Sequence, residues 1–342
     1  MKALLDGSTL EIPDHWLRIS TIEMHTGGEP LRVITAGLPP IPGGTVLEKR
    51  AYFREHHDDI RRALMWEPRG HADMYGAAIF PSASADLDCF FLHNEGYSTM
   101  CGHAVIALTK LAVEMRLTEG RSHLTINVPA GTVKAHAEVV DGRVRRSTFE
   151  NVPSFVLLRD RHVEVPGVGR IRFDVAFGGA FYAFVDAADV GLRLAGDEYH
   201  RLIDLGRRIK HAVASAFPIG HPFEAELSFL YGTIFVGPPH DPAHHSRNVC
   251  VFADGEVDRS ATGSGVSARA ALHHARGELA PGKPITIESL IGSTMTVEVA
   301  GATKFGPHDA VVPRVSGTSA FIGRAEFFID PDDPVGRGFF LR

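Results

Sequence analysis

The sequence predicts an α/β (α+β) protein of two homologous halves, each a curled, mostly antiparallel sheet around a central helix, with an active site between them. The chain matches itself at a constant shift, and each copy has the same order of apolar strand, glycine and helix. Long stretches of alternating apolar and polar residues flank both copies. The 342 residues suffice for two domains, since length divided by about 150 is a soft estimate of domain number.

The internal match occurs at a shift of 161 residues, the separation of Cys101 from Thr262. It needs no insertion, and self-similarity at a fixed spacing is a signature of repeated architecture. Two such halves are expected to meet at a pseudo-twofold axis, and domain interfaces are preferred places for small-ligand sites. The matched pairs are Cys89 with Cys250, Phe91 with Phe252, Glu95 with Glu256, Gly102 with Gly263, Val105 with Val266, Ala107 with Ala268, Leu111 with Leu272, Thr125 with Thr286, Ile126 with Ile287 and Gly131 with Gly292.

Each copy predicts the same elements in the same order. A strand of aromatic and β-branched residues (DCFFLH, VCVFAD) precedes a polar turn and a glycine that opens a helix. Another strand follows each helix (LTINV, ITIESL), and alternating stretches around 132–187 and 295–330 predict the remaining strands. Apolar residues at helical spacing place the two helices at about 102–116 and 263–276.

The duplication also predicts where the domains begin and end. The first half-domain is expected at 1–150, with Cys101, and the second at 151–315, with Thr262. The crossover lies near residues 151–153. The last segment, 316–342, is expected to pack back on the first half.

Composition favours a small-molecule partner. Hydrophobic residues make up 44% and charged residues 22%, as in ordinary globular proteins. A net charge of -6 offers no basic footprint for nucleic acid or an anionic membrane, so neither partner is expected. The start of the chain, MKALLDGSTLEIPDHW, has no unbroken apolar stretch, and no later run approaches the roughly eighteen apolar residues of a membrane span. We therefore expect a cytoplasmic protein.

Three cysteines, Cys89, Cys101 and Cys250, are too few and too scattered for a disulfide framework or a CxxC metal site. Cys101 directly precedes the first predicted helix. The free N–H groups of a helix start favour an anion and lower a thiol pKa from about 8.5, so a reactive thiolate is expected near neutral pH. Cys89 and Cys250 lie within apolar strands and are interpreted as small buried residues.

Thr262 occupies the matching position before the second helix. Under a pseudo-twofold, Cys101 and Thr262 approach one ligand from opposite faces, and the two helix N-termini converge on it. Alone, TGSG at a helix start would be a plain cap, but its pairing with Cys101 favours a functional site. The N–H groups expected to bind a carboxylate there are those of Gly102, His103, Gly263 and Ser264.

Four segments, in order along almost the whole chain, resemble the motifs of the proline racemase family. They are Glu23–Pro30 (EMHTGGEP), Arg69–Gly76 (RGHADMYG), Met100–His103 (MCGH) and Asp258–Gly265 (DRSATGSG). The resemblance implies a duplicated fold arranged as in diaminopimelate epimerase, and frequently a homodimer. It also implies a cyclic amino-acid substrate whose ring nitrogen is held by Asp258, with His103 close by.

One departure from the family pattern predicts the reaction. Racemases and epimerases of the family have a second cysteine where this chain has Thr262, and the threonine form resembles members that dehydrate trans-3-hydroxy-L-proline. Stereoinversion needs an acid on the face opposite the base, and a threonine hydroxyl is too weakly acidic. We therefore expect Cys101 to remove the α-proton and water to leave, giving Δ1-pyrroline-2-carboxylate. Thr262 would hydrogen-bond the substrate or the departing hydroxyl.

Two alternatives stay open at this point: a proline racemase or 4-hydroxyproline 2-epimerase, and a non-catalytic amino-acid-binding protein. No cofactor is expected, because no GxGxxG or GxxxxGK[ST] motif is present. No metal is expected either, since the histidines of PPHDPAHHSR have a loop pattern and lack an HExxH helix. His25, His71 and Asp73 are ambiguous between a turn and a site, and we leave them out of the catalytic set.

Overall fold

The computed structural model describes residues 11–341, and strands dominate it. The first part of the chain forms β1 (Leu17–Thr26), β2 (Glu29–Ala36), β3 (Tyr75–Phe80), β4 (Leu87–His93), β5 (Tyr97–Ser98), β6 (His123–Val128), β7 (Gly131–Val140) and β8 (Arg143–Glu150), with helices α1 (Val46–His56), α2 (Asp58–Met65) and α3 (Gly102–Glu114).

The second part repeats this order. It forms β9 (Ser154–Val165), β10 (Gly169–Phe177), β11 (Phe181–Asp186), β12 (Leu230–Gly237), β13 (Ser246–Phe252), β14 (Glu256–Val257), β15 (Ile285–Glu288), β16 (Thr294–Phe305), β17 (His308–Gly317) and β18 (Ser319–Ile329), with helices α4 (Tyr199–Ala216) and α5 (Gly263–Ala275) and short 3-10 turns at Ala187–Val190, Gly196–Glu198 and Ala225–Leu227.

The strand pairing shows the duplication. In the first half, β2 pairs with β3 and β4 with β6 in parallel, while β1 with β2, β3 with β4, β6 with β7 and β7 with β8 are antiparallel. In the second half, β11 pairs with β12 and β13 with β15 in parallel, and the other equivalent pairs are antiparallel. The predicted fold class, two halves with mostly antiparallel sheets, is confirmed.

The last strand of the chain returns to the first half. β9 pairs with β10, its neighbour in the second part, whereas β18 pairs with β1 of the first part. β17 bonds to both β8 and β9, so one sheet of 18 strands runs through residues 11–341. Because the sheet is continuous, the predicted boundaries at 150/151 and 315/316 stay predictions.

Each half curls around one buried helix. α3 and α5 are both 13 residues long and begin 161 residues apart, at Gly102 and Gly263, in the register that the sequence predicts. The first ten residues of α5 are buried, as are nine of the first ten of α3, as expected for a helix inside a core. The predicted C-terminal ends, Arg116 and Arg276, lie one or two residues beyond the observed ends.

Three helices were not predicted. α1 begins with a capping box in which Thr45 accepts from the Glu48 N–H and Glu48 accepts from the Thr45 N–H. With α2 it covers a second core that contains Phe53 and Phe90. α4 packs its apolar face against β12. None of the helices within residues 11–341 is long and apolar enough to cross a membrane.

Candidate active site

The N-termini of α3 and α5 meet in the centre of the molecule. A Cβ atom on Gly102 would lie 2.5 Å from the Cα of Gly263, and one on Gly263 would lie 2.6 Å from the Cα of Gly102. Real Cβ atoms do not approach other atoms so closely, so both positions require glycine. The structure thus brings together the two helix ends that the sequence expected to converge.

One small cavity lies at this junction. Its walls come from both halves, and all seven predicted site residues line it: Cys101, Gly102, His103, Asp258, Thr262, Gly263 and Ser264. Two helix N-termini that meet at one cavity favour negative charge there, because free N–H groups and helix dipoles both attract anions.

Cys101 caps α3 from an extended backbone conformation. Its Sγ accepts a hydrogen bond from the Ala104 N–H at 3.4 Å and lies 3.1 Å from Nδ1 of His103. The residue is only 4% exposed. The thiol therefore sits at the helix end, with an imidazole as its neighbour.

The expectation of an easily formed thiolate is wrong for this environment. Burial raises the pKa of the Cys101 thiol well above its ordinary value, and the Asp258 carboxylate raises it further. The Ala104 N–H lowers that pKa only in part. Loss of hydration outweighs the helix end, so ionisation of this thiol needs a proton acceptor or a compensating cation.

His103 stays neutral at physiological pH. Burial lowers the pKa of its imidazole to about 3, although a hydrogen bond to the carbonyl of Pro30 raises it somewhat. Thr26 Oγ1 donates to the backbone carbonyl of His103 at 2.8 Å, which fixes the first turn of α3. A neutral imidazole that donates one N–H to Pro30 can accept a proton at its other nitrogen, beside the thiol.

Thr262 caps α5 in an unusual backbone conformation. Its φ is +67°, a left-handed value that is rare for a β-branched residue and marks strain at functional sites. Its hydroxyl is buried and makes no hydrogen bond to any residue in 11–341, yet it lies near enough to Asp258 and Cys250 to lower the pKa of both. The hydroxyl is thus free to bind a ligand.

Asp258 and Ser264 complete the second-half wall. Asp258 Oδ1 accepts from the Ser260 N–H at 2.7 Å. Burial raises the pKa of Asp258, and its bonds to Ser260 lower it again. Ser264 Oγ is 2.7 Å from the Tyr182 hydroxyl, which holds the first turn of α5 against β11.

Known proteins place this arrangement in a family. The family model described as proline racemase matches residues 21–340. The chain belongs to the proline racemase family. The matched range includes every residue that lines the cavity between α3 and α5.

Family members with assigned names cover nearly the whole chain. The trans-3-hydroxy-L-proline dehydratase of Colwellia psychrerythraea is 49% identical over 334 residues, which are 96% of this chain and 94% of that protein. The protein of the same name from Homo sapiens is 44% identical, with 95% of each chain covered. A 3-hydroxyproline 2-epimerase of Burkholderia multivorans is 43% identical, with 95% and 98% covered.

A solved proline racemase family structure has the same fold. The hydroxyproline epimerase of Agrobacterium vitis, crystallised with bound trans-4-hydroxy-L-proline, superposes with a TM-score of 0.90 at 31% identity. The match covers 96% of both chains. The predicted diaminopimelate-epimerase-like arrangement of two halves is therefore the fold of this family member.

Seven further residues line the cavity that sequence reasoning missed: Glu29, Tyr75, Met100, Tyr182, Tyr231, Cys250 and Phe252. Glu29 lies within the HTGGEP segment, so this motif was a usable signal. The tyrosines sit within or next to apolar strands, where no local pattern separates a cavity wall from a core. Cys250 is fully buried in β13, as predicted, but it also faces the cavity.

The ambiguous residues mostly hold the two halves together. Asp73 pairs with Arg259 at 2.6 Å and accepts from the Tyr199 hydroxyl at 2.7 Å, so it joins the first half to the signature segment of the second. His25 Nδ1 accepts from the Gly28 N–H at 3.2 Å, which is a satisfied turn. His71 contacts the carbonyl of Ala72 and is exposed.

The loop that contains His240 and His244 is held by hydrogen bonds to the carboxylate of Glu288. Glu288 accepts from the N–H groups of His240 and Asp241 and from a ring nitrogen of His244, and it pairs with Arg247 at 2.6 Å. His245 bonds to Ser246 instead. Across residues 11–341, no three or more His, Cys, Asp and Glu side chains are arranged to hold a metal ion.

Proposed function

We propose that this protein dehydrates trans-3-hydroxy-L-proline to Δ1-pyrroline-2-carboxylate, with Cys101 as the base and no cofactor. One observation carries the proposal: Cys101 with its thiol and Thr262 with its hydroxyl occupy the N-cap positions of the two helices that meet at one cavity. Two relatives named trans-3-hydroxy-L-proline dehydratase, from Colwellia psychrerythraea and Homo sapiens, match most of the chain. They support the same reaction.

The substrate carboxylate binds between the helix ends. The N–H groups of Gly102, His103, Gly263 and Ser264 point to the place where negative charge is best stabilised, and they remain there while charge moves onto the carboxylate during α-proton removal. Asp258 pairs with the ring nitrogen, a cation that needs a carboxylate in a buried site.

The raised pKa of Cys101 does not prevent it from acting as a base. His103 Nδ1 lies 3.1 Å from Sγ, within reach of the thiol proton. A bound substrate also brings its ammonium group into the cavity, and a cation near Sγ favours the thiolate. The base is thus generated when the substrate is present, in a site that excludes most water.

Thr262 decides between elimination and inversion. An epimerase returns a proton to the opposite ring face, and a threonine hydroxyl is too weak an acid to do so. Cys250 is a second thiol on the cavity wall, and burial raises its pKa, so it stays protonated. A protonated thiol near Thr262 is the feature that favours the second candidate, a 3-hydroxyproline 2-epimerase like the Burkholderia relative.

One experiment separates these functions. The protein is incubated in D2O with trans-3-hydroxy-L-proline, trans-4-hydroxy-L-proline and L-proline in parallel, and products are followed by proton NMR. Formation of Δ1-pyrroline-2-carboxylate from the first compound alone supports the dehydratase. A 2-epimer carrying deuterium at Cα, without dehydration, identifies an epimerase. Unchanged ligands without deuterium identify a binding protein.

A further inference from the structure

We propose that Glu29 is the general acid that protonates the departing C3 hydroxyl. This assignment rests on the proposed dehydration and extends it, because the base alone does not explain how hydroxide leaves. Hydroxide is a poor leaving group, and a positioned acid contributes typically 10²- to 10⁴-fold to such a step.

Glu29 has an unused oxygen inside the cavity. The side chain is fully buried at the start of β2 and lines the cavity with Cys101 and Asp258. Oε2 accepts from the Arg259 N–H at 2.7 Å, but Oε1 is buried without a hydrogen-bond partner among residues 11–341. Buried polar atoms without partners are rare and costly, so this one points to a group supplied by a ligand.

The surroundings favour the protonated form of Glu29. Burial raises the pKa of Glu29 well above its usual range, and the charge of Asp258 raises it further, while the Arg259 N–H and guanidinium lower it in part. Burial also raises the pKa of Asp258, but bonds from Ser260 counter part of that rise. The two carboxyl groups at one cavity thus have different surroundings, as is typical of acid and base pairs.

Substrate stereochemistry fixes the side from which the acid must come. In trans-3-hydroxy-L-proline the carboxylate and hydroxyl lie on opposite ring faces, so the α-hydrogen and the hydroxyl share one face. The acid must therefore approach from the Cys101 side. Glu29 belongs to the same half as Cys101 and adjoins Pro30, whose carbonyl accepts from His103. Thr262, from the other half, contacts the opposite face.

Two of the other hydroxyl groups near Cys101 already have a partner, whereas the buried Tyr231 hydroxyl has none among residues 11–341 but is a weak acid, because burial raises its pKa well above the ordinary value. The Tyr75 hydroxyl hydrogen-bonds Ser98, and burial raises its pKa well above the ordinary value, so it is a weak acid. The Tyr182 hydroxyl bonds Ser264. Among the cavity residues, Glu29 is the carboxyl group with one oxygen that has no partner within residues 11–341, and its raised pKa favours the protonated form.

The step balances as a syn elimination. Sγ of Cys101 takes the α-proton, and the electron pair of the C–H bond forms the C2–C3 double bond. The C3–O bond breaks, its electron pair stays on oxygen, and that oxygen takes the Glu29 proton and leaves as water. The products are the enamine and water, with Cys101 as a thiol and Glu29 as a carboxylate. Proton exchange with solvent restores both groups.

Glu29→Gln tests the assignment with a substrate whose leaving group needs no proton. Glutamine keeps the size of the side chain and still accepts from Arg259, but it cannot supply an acidic proton. We expect water loss from trans-3-hydroxy-L-proline to fall about a hundredfold or more. Chloride loss from trans-3-chloro-L-proline should stay within a few-fold of wild type, as should exchange of the L-proline α-hydrogen in D2O.

Two further variants make the ratio of water loss to chloride loss decisive. Glu29→Asp retains a carboxylic acid. Its ratio of water loss to chloride loss should therefore lie between those of Glu29→Gln and wild type. Glu256→Gln changes another fully buried carboxyl group with one unpartnered oxygen, which does not line the cavity. It should leave the ratio unchanged, even if the protein becomes less stable.

The proposal is overturned if Glu29→Gln loses water at the wild-type rate, or if both eliminations and α-hydrogen exchange fall together. The second result would make Glu29 a binding or structural residue. Failure of the proposed function is seen separately, in wild type: a protein that releases neither water nor chloride from these substrates is not a dehydratase.

Discussion

Gly102 and Gly263 occupy equivalent positions in the two halves and touch each other, with 2.5 to 2.6 Å between the place of one Cβ and the other Cα. This contact sets the distance between the two helix ends. The backbone N–H groups of both helices therefore act on one point, which neither half could achieve alone.

An added methyl group at this contact should separate the helices. We expect Gly102→Ala and Gly263→Ala each to lower turnover of trans-3-hydroxy-L-proline at least a hundredfold, since a misplacement of about 1 Å can cost that much. Overpacking should also destabilise the fold by roughly 1 to 3 kcal/mol in urea unfolding. Gly196→Ala is the control, because no atom lies within 4 Å of its Cβ position. Normal turnover in both variants would contradict the role of the contact.

Cys101→Ser should remain folded and lose nearly all turnover, because a serine hydroxyl is far less ionised than a thiol. Without substrate, the wild-type thiol should react slowly with iodoacetamide at neutral pH, since burial raises the pKa of Cys101. Cys89→Ala is the cleaner control, because Cys89 is buried in β4 away from the cavity, whereas Cys250 lines it. Wild-type turnover in Cys101→Ser would remove Cys101 from the mechanism.

Thr262→Cys should add a proton donor on the second face. We expect slow epimerisation of proline-type substrates with deuterium incorporation in D2O, even if dehydration weakens. The gain should be small, because productive transfer needs atoms within hydrogen-bond reach. Thr262→Ala separates the effect of a hydroxyl from that of an empty space. If Thr262→Ala dehydrates at the wild-type rate and Thr262→Cys shows no exchange, the two-faced arrangement loses its support.

His103 should make the protein less stable in acid. Its pKa is about 3 in the folded protein, against about 6.5 in an unfolded chain, so the unfolded state binds a proton first as pH falls. Stability is lost progressively from about pH 6.5 towards pH 3, by about 3 kcal/mol at pH 4. Urea unfolding of wild type and His103→Gln between pH 7 and 4 checks this. If the free energy of unfolding changes with pH in the same way in wild type and in His103→Gln, then His103 is not buried in its neutral form.

The ion pair between Asp73 and Arg259 should hold the halves together. Asp73→Asn leaves the partly buried guanidinium without its counter-charge, and we expect a loss of roughly 3 kcal/mol in the free energy of unfolding. Asp254→Asn breaks a comparable pair with Arg207 on the exposed surface and should cost less than about 1 kcal/mol. Equal effects of the two changes would argue against a special role for the Asp73 pair.

The sequence predicted the parts of the site that the duplication repeats. Cys101 and Thr262 each precede a glycine and an apolar helix, so one constant register located both helix starts. Glu29 escaped because it joins the cavity from a separate strand, and only folding brings it beside Asp258. The pKa of Cys101 was predicted in the wrong direction, because a helix start is visible in sequence and the depth of burial is not.

The helices α1 and α4 were missed for a different reason: the matched pairs that reveal the repeat lie at 89–131 and 250–292, outside both helices. Thr45 and Glu48 form a capping signal that a local search could find. By contrast, the aromatic residues of β11 and β12 give the same pattern whether they face a core or a cavity. The local sequence pattern thus predicts that a strand forms, but not whether its side chains face the core or the cavity.

The return of β18 to β1 also constrains the order of events on the ribosome. Leu17 pairs with Ile329, so the strand that completes the sheet of the first half is translated long after the strand it joins. Until then β1 presents an open edge, a hazard for unwanted pairing between nascent chains. Contacts so distant in sequence also slow folding. The contact between Gly102 and Gly263 needs both halves, so a nascent chain that ends before α5 carries the thiol but lacks the second helix end.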